Sequence, residues 1–101
     1  MIREDERKIE EPLLTELVGE LDGWSSDGVK LEKRFVTKGW KSAIALVNAV
    51  AGAADAADHH PDIHVEDYKN VRIVLTTHAS GGISRSDVDL AKAIDALGKS
   101  L

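Results

Sequence analysis

The apolar residues of the chain recur every three or four positions in some segments and every second position in others. The first spacing predicts helices. From Pro12 to Leu21, leucine and valine recur every three or four residues, as they do in an amphipathic helix. A longer, alanine-rich segment from Trp40 to Ala57 has the same periodicity and a narrow stripe of small apolar side chains. A third helix is predicted after Ser84, which can form a capping box with Asp87.

Strand signals occupy the segments between these helices. Trp24 to Ser26 and Val29 to Val36 flank a Ser-Asp-Gly turn, and Ile63 to Tyr68 and Val71 to Thr77 form a second pair. Apolar and polar residues alternate in the last segment, so we expect one face of the sheet to be buried. The order α-β-β-α-β-β-α predicts an α+β fold, in which a four-stranded antiparallel sheet carries three helices on one face.

Three expectations concern the ends of these elements. Thr37 can cap the long helix that follows it. Pro61 cannot continue a helix and biases His60 away from helical dihedral angles, so this helix should end at or just before His59-His60. Residues 1–11 are densely charged with mixed sign, and we expect them to be a solvated or frayed terminus of one domain spanning residues 1–101.

Composition restricts the chemistry of this chain of 101 residues. It contains no cysteine, which excludes disulfides, thiolate nucleophiles and cysteine-rich zinc sites. The formal net charge is -5, and lysine and arginine are scattered singly, so we expect neither nucleic acid nor a membrane as partner. The apolar stretch from Ala43 to Ala54 is too short to span a bilayer, and we expect a cytoplasmic protein. Small domains often gain stability by self-association, which makes a homo-oligomer plausible.

Histidine is concentrated in one short segment. Three of the four histidines lie in Asp58-His59-His60-Pro61-Asp62-Ile63-His64, and the fourth, His78, follows the last predicted strand. Histidine donates and accepts protons near neutral pH because its unperturbed pKa is about 6.5. The cluster therefore suggests either acid-base chemistry or metal binding.

These two interpretations use different residues. In a metal site, the ligands would be His60, Asp62, His64 and His78, although Pro61 interrupts the strand that would align them. In an acid-base site without metal, His59, His60 and His78 would converge around a pocket. Nearby carboxylates would then orient the imidazole rings and fix their tautomers; these are Asp55, Asp58, Asp62 and Asp87.

The spacing of these residues resembles the signature of the pterin-4a-carbinolamine dehydratase family. Asp55 precedes His59-His60-Pro61 by three intervening residues, Tyr68 follows, nine residues separate Tyr68 from His78, and eight separate His78 from Asp87. The segments Leu21-Asp22-Gly23-Trp24 and Gly81-Gly82-Ile83-Ser84 are also similar. The resemblance spans about residues 12 to 97.

The resemblance implies a homodimer or homotetramer that needs no cofactor and no metal. Its substrate would be 4a-hydroxytetrahydropterin, which it would dehydrate to quinonoid dihydropterin in recycling the cofactor of aromatic amino-acid hydroxylases. The implied proton-transfer pair is His59 and His60, and His78 completes the site. The implied substrate-binding residues are Asp58, Pro61, Asp62, Ile63 and Thr77, and the implied orienting acids are Asp55 and Asp87.

The resemblance also leaves a second function and a structural departure to consider. Relatives of this fold serve as non-catalytic dimerisation or assembly factors, so a protein partner is an alternative expectation. Between Pro61 and Tyr68 the chain is one residue longer than many members, which predicts a bulge. Position 63 is Ile where animal members carry Trp, so one wall of the pterin pocket is expected to be aliphatic.

Overall fold

The described part of the chain, residues 3–99 of a computed structural model, has the order of elements that the sequence predicts. A short 3-10 turn at Glu4–Glu6 precedes them. The elements are α1 (Leu13–Gly19), β1 (Ser25–Ser26), β2 (Leu31–Val36), α2 (Trp40–Ala57), β3 (Asp62–Glu66), β4 (Asn70–Leu75) and α3 (Arg85–Gly98). The predicted α+β fold is confirmed.

The four strands form one antiparallel sheet in the order β1-β2-β4-β3. The two long strands β2 and β4 pair at its centre, from Leu31 opposite Leu75 to Val36 opposite Asn70. Strand β3 pairs with β4 continuously from Asp62 to Glu66, so the expected bulge is absent from this strand. The end of β4 therefore pairs with β2 on one side and with β3 on the other. The chain leaves the sheet there and continues to Thr77.

One face of the sheet packs against the helices and forms the core. Val71, Ile73 and Leu75 are fully buried, as the alternation in β4 predicts. Burying an aliphatic side chain of this size stabilises a fold by about 1.5–3 kcal/mol. The helices contribute further buried side chains, which include Ala43, Leu46, Val50 and Ala54 of α2 and Val88, Leu90, Ala91 and Ile94 of α3.

A partly buried polar cluster joins the first hairpin to α3. The indole Nε1 of Trp24 donates to both carboxylate oxygens of Asp95, at 3.0 and 3.1 Å. Lys33 Nζ lies 2.8 Å from the same carboxylate and 4.7 Å from the ring centroid of Phe35. The side chains of Lys33 and Asp95 are only 16% and 15% exposed, so this ion pair is largely shielded from water.

The opposite face of the sheet carries a row of charges. Arg72, on central strand β4, donates hydrogen bonds to Glu32 and Glu66, each at 3.1 Å, and Arg34 lies 3.3 Å from Glu66. The hydrogen bond from Arg72 holds the pKa of Glu66 below its usual value, and Glu66 and Glu32 together raise the pKa of Arg72. The pairs are solvent-accessible, so each contributes little to stability.

The charged N-terminal segment is mostly exposed, but residues 3–9 are not frayed. The Ile9 amide donates to the Ile83 carbonyl at 2.8 Å, and Lys8 pairs with Ser84 in a single bridge. The Ser86 hydroxyl donates to the Asp5 carbonyl at 3.0 Å. Local charge density predicts solvation correctly, but it carries no information about these distant backbone partners.

Several predicted ends of elements differ from the structure, and strands β3 and β4 end two residues earlier than predicted, at Glu66 and Leu75. Two of the differences have identifiable reasons. Thr37 does not cap α2, whose N-cap is Gly39, because the Thr37 hydroxyl donates to the carbonyls of Lys69 and Gly39. Strand β2 begins at Leu31 instead of Val29 because Asp27 Oδ1 accepts hydrogen bonds from two following amides and extends the turn. Within residues 3–99, no helix is long and apolar enough to cross a membrane.

Candidate active site

Helix α2 ends immediately before the histidine pair, as Pro61 predicts. Its C-cap, Asp58, adopts the left-handed conformation with φ 51° and ψ 44°. The His59 amide then donates to the Ala54 carbonyl at 3.1 Å, which closes the last turn. The two histidine side chains separate at this point, because His59 is buried and His60 is exposed.

A buried carboxylate holds His59. Nε2 of its ring lies 2.5 Å from Oδ1 of Asp87, which has no exposed surface. The second oxygen, Oδ2, accepts hydrogen bonds from the Thr77 hydroxyl at 2.8 Å and from the Ser84 amide at 2.9 Å. Both oxygens of Asp87 thus have partners inside the protein, and the partner of Oδ1 is His59.

The position of Asp87 in α3 explains how a carboxylate can be buried here. Asp87 is the third residue of the helix and forms the predicted capping box with Ser84. The amide donors and the dipole at a helix N-terminus favour a negative charge. The same carboxylate therefore caps α3, anchors Thr77 just beyond β4 and contacts His59 at the end of α2.

His60 is held more loosely. Its Nε2 lies 3.0 Å from Oδ1 of Asp55, which is in the last turn of α2. The two side chains are 63% and 81% exposed. Surface ion pairs of this kind contribute between 0 and about 1 kcal/mol, so Asp55 orients His60 only weakly. The sequence singled out both acids, and the structure shows which histidine each one contacts.

His78 lies in a tight loop beside Thr77. The Thr77 amide donates to the Gly82 carbonyl at 2.8 Å, and the Gly81 amide donates back to Thr77 at 3.0 Å. Gly81 has φ 72°, a conformation that favours glycine. The ring of His78 is exposed, and within residues 3–99 no hydrogen bond ties it to another side chain. The Thr77–Asp87 contact brings this loop to the same end of the sheet as His59.

The expected substrate-binding residues have different surroundings. Asp58 is exposed, and its carboxylate pairs with Arg3 at 3.3 Å. Pro61 is half-buried, and Ile63 packs against the core on the helix-covered face. Asp62 is exposed on β3, on the opposite face from Ile63. Thr77, the fifth residue, is only 3% exposed.

The four residues that the metal hypothesis requires do not come together; these are His60, Asp62, His64 and His78. Asp62 and His64 lie on the face of β3 away from the helices, whereas His60 contacts Asp55 of α2. In the described residues 3–99, no three histidine or carboxylate side chains converge to bind one metal ion. A cavity of about 430 Å³ between α2 and α3 is lined by Ala53, Ala57, Ser86 and neighbouring residues, but by none of the three site histidines.

Sequence reasoning missed two contributors to this site. Ser84 was identified only as a helix cap, yet its hydroxyl also lies 2.7 Å from the Thr77 hydroxyl. Arg3 reaches Asp58 through both the carboxylate and the backbone carbonyl, each at 3.3 Å. The capping box was a signal for Ser84. No local signal pointed to Arg3, since its partner is 55 positions away.

Comparisons with known proteins give the family of this chain. The family model described as pterin 4 alpha carbinolamine dehydratase matches residues 6–97. This chain belongs to that family. A protein of Aquifex aeolicus, named provisionally as a pterin-4-alpha-carbinolamine dehydratase, is 43% identical over 95 residues, covering 94% of this chain and 95% of its own. A protein of Sulfurisphaera tokodaii with the same provisional name is 41% identical over 91 residues, with coverage of 90% and 97%.

Two solved structures share the fold of this member of the dehydratase family. A transcriptional coactivator/pterin dehydratase from Brucella melitensis superposes with a TM-score of 0.84 at 28% identity, covering 91% of this chain and 99% of its own. A pterin dehydratase-like protein described as a RuBisCO assembly factor of the alpha-carboxysome has a TM-score of 0.60 at 24% identity, with coverage of 74% and 86%. The second likeness concerns the fold alone.

Proposed function

We propose that this chain dehydrates 4a-hydroxytetrahydropterin to quinonoid dihydropterin by histidine acid-base catalysis, without a cofactor. The observation that carries the proposal is the pairing of each adjacent histidine with its own carboxylate, His59 with Asp87 and His60 with Asp55. Paired imidazoles of this kind are suited to proton transfer near neutral pH. Membership of the pterin-4a-carbinolamine dehydratase family supports the choice of substrate.

The reaction requires two proton transfers. A base removes the proton from N5 of the pterin, an acid protonates the hydroxyl at C4a, and the C4a–O bond breaks as the C4a–N5 double bond forms. Water leaves, and no electrons are gained or lost. A histidine pair can supply both functions if one ring starts neutral and the other starts protonated.

The contacts with the carboxylates, firm for His59 and loose for His60, indicate which ring atoms are available for these transfers. In both histidines, Nε2 is the nitrogen that faces the carboxylate. Nδ1 is then the atom left for the substrate, as a lone pair on the neutral ring or as N–H on the protonated ring. We propose that His59 and His60 each exchange a proton with the substrate through Nδ1. We also propose that His78 and the exposed Asp58 hold the polar edge of the pterin.

Apolar contacts would complete substrate binding. We propose that Pro61 and Ile63 provide the aliphatic wall beside the pterin ring, as the sequence suggested. Asp62 is a weaker candidate, because it lies on the other face of β3. Its contribution would require a pterin that reaches around the edge of the sheet.

The test is the rate of dehydration of chemically generated 4a-hydroxytetrahydropterin, followed by absorbance with and without a strong chelator. We expect catalysis above the spontaneous rate that the chelator leaves unchanged. His60→Ala should lower kcat about 10²-fold or more. Its melting temperature should stay close to that of the wild type, because the side chain is exposed. Absence of catalysis, or full activity of the folded variant, would refute the proposal.

A binding role and self-association can be tested on the same preparations. The Brucella melitensis relative is described as both a coactivator and a dehydratase, so a protein partner is a second candidate function. Capture of a specific partner by an inactive wild-type protein would favour that candidate. We also propose assembly as a homodimer or homotetramer, and light scattering on the purified protein would distinguish these states from a monomer.

A further inference from the structure

The surroundings of Thr77 differ from those expected of a residue that binds substrate. Its side chain is 3% exposed, and its hydroxyl is directed at Asp87 Oδ2, at 2.8 Å. Its amide donates to the Gly82 carbonyl at 2.8 Å. The polar donors of Thr77 thus point into the protein, where they cannot donate to a bound pterin.

Counting donors gives the direction of the hydrogen bonds. A threonine hydroxyl has one hydrogen, and Thr77 gives it to Asp87, which as a carboxylate has none to offer. The Ser84 hydroxyl lies 2.7 Å from Thr77 Oγ1 and 3.5 Å from Asp87 Oδ2, so the shorter contact, to Thr77, is the one in which Ser84 is the donor. The hydrogen bonds therefore run in one direction, from Ser84 to Thr77 and from Thr77 to Asp87.

The opposite end of this chain of hydrogen bonds is the imidazole of His59. With Oδ2 occupied by Thr77 and the Ser84 amide, Asp87 presents Oδ1 to His59 Nε2. An acceptor fixed in this way favours the neutral ring with its proton on Nε2 and a lone pair on Nδ1. Successive hydrogen bonds of a buried network also polarise one another, which strengthens the arrangement.

We propose that Thr77 is a positioning residue that acts through Asp87 on His59, with Ser84 supporting it, and that it does not bind substrate. This inference rests on the proposed function, because it assigns Thr77 a part in the same reaction. Thr77 fixes the rotation of the Asp87 carboxylate and keeps the Nδ1 atom of His59 free of a proton. Thr77 is therefore required for the chemical step and dispensable for substrate affinity.

A matched pair of variants tests the role in kinetics. Thr77→Val keeps the shape of the side chain and removes the hydroxyl, whereas Thr77→Ser keeps the hydroxyl. We expect kcat of Thr77→Val to fall about tenfold to a hundredfold with KM within about twofold of the wild type. Thr77→Ser should restore kcat to within about threefold. A raised KM with unchanged kcat, or equal loss in both variants, would overturn the proposal.

The tautomer of His59 provides a second readout that does not depend on activity. Long-range ¹H–¹⁵N correlation spectra distinguish protonated from unprotonated ring nitrogens, and we expect the neutral wild-type ring to carry its proton on Nε2. In folded Thr77→Val the Asp87 carboxylate is held by the Ser84 amide alone, so the population with the proton on Nε2 should be smaller than in the wild type. A wild-type ring protonated on Nδ1 would overturn this inference even if the enzyme is active. An inactive wild type with the expected tautomer would overturn the proposed function instead.

Discussion

Replacing Asp87 by asparagine should separate the stability of the site from its chemistry. The substitution preserves the shape of the side chain but turns one oxygen into an NH₂ group. The Ser84 amide at 2.9 Å can only donate, so the remaining oxygen must stay on that side. The new NH₂ group then faces His59 Nε2, where two donors would meet. We expect the ring to respond by moving its proton to Nδ1.

The magnitudes follow from the bonds that change. Hydrogen bonds to a charged group contribute about 1.5–3 kcal/mol and neutral ones about 0.5–1.5 kcal/mol, while removing a buried charge recovers part of its desolvation cost. Asp87→Asn should therefore lose only about 1–2 kcal/mol of unfolding free energy. Because Nδ1 of His59 would no longer be a base, kcat should fall by about 10² to 10⁴.

Three measurements on this variant check the reasoning. Denaturant unfolding gives the stability, absorbance gives the dehydration rate, and ¹⁵N spectra give the tautomer of His59. Asp89→Asn is the matched control, since it makes the same chemical change on an exposed position of α3 and should leave the rate unaltered. An Asp87→Asn protein with the inverted tautomer and full activity would show that His59 Nδ1 takes no part in catalysis.

Two further predictions concern charges away from the site. Asp95→Ala leaves the Trp24 indole without its acceptor and leaves the largely shielded Lys33 with only the Asp22 carbonyl, so it should destabilise the protein by about 1–3 kcal/mol in denaturant unfolding; a loss below about 0.5 kcal/mol would refute the shielding argument. The pKa of Glu66 lies below its usual value because Arg72 donates to it, so its contribution to stability is present above the unfolded-state pKa and is lost as pH falls through the lowered value. Arg72→Gln should raise the carboxyl titration midpoint of Glu66 in ¹³C spectra, and an unchanged midpoint would contradict that cause.

Local pattern was sufficient for the parts of the fold that local physics determines. The alanine-rich periodicity gave α2 its observed bounds, Trp40–Ala57, and Pro61 placed its end before the histidines. The alternation in β4 identified the buried face. One error arises from a distant partner, because the Lys69 carbonyl accepts the hydrogen bond of the Thr37 hydroxyl that was predicted to cap α2. The late start of β2 has a local cause, because the Asp27 side chain binds the two following amides.

The candidate site shows the same division between local and distant information. Spacing was enough to single out His59, His60 and the two acids, but it could not pair them, because Asp87 is 28 positions from His59. It also could not distinguish a threonine that faces substrate from one that faces a carboxylate. That distinction depends on which side of Thr77 is buried, which only the packed structure determines.

The double use of Asp87 has a consequence for how this protein can evolve or be engineered. The Asp87 carboxylate caps the N-terminus of α3 and also contacts the imidazole of His59. Variation at this position is therefore expected to lower both thermal stability and turnover, although by different amounts, because both depend on the same carboxylate. A search for more stable variants should leave the N-terminus of α3 unchanged and should substitute residues on the charged outer face of the sheet instead.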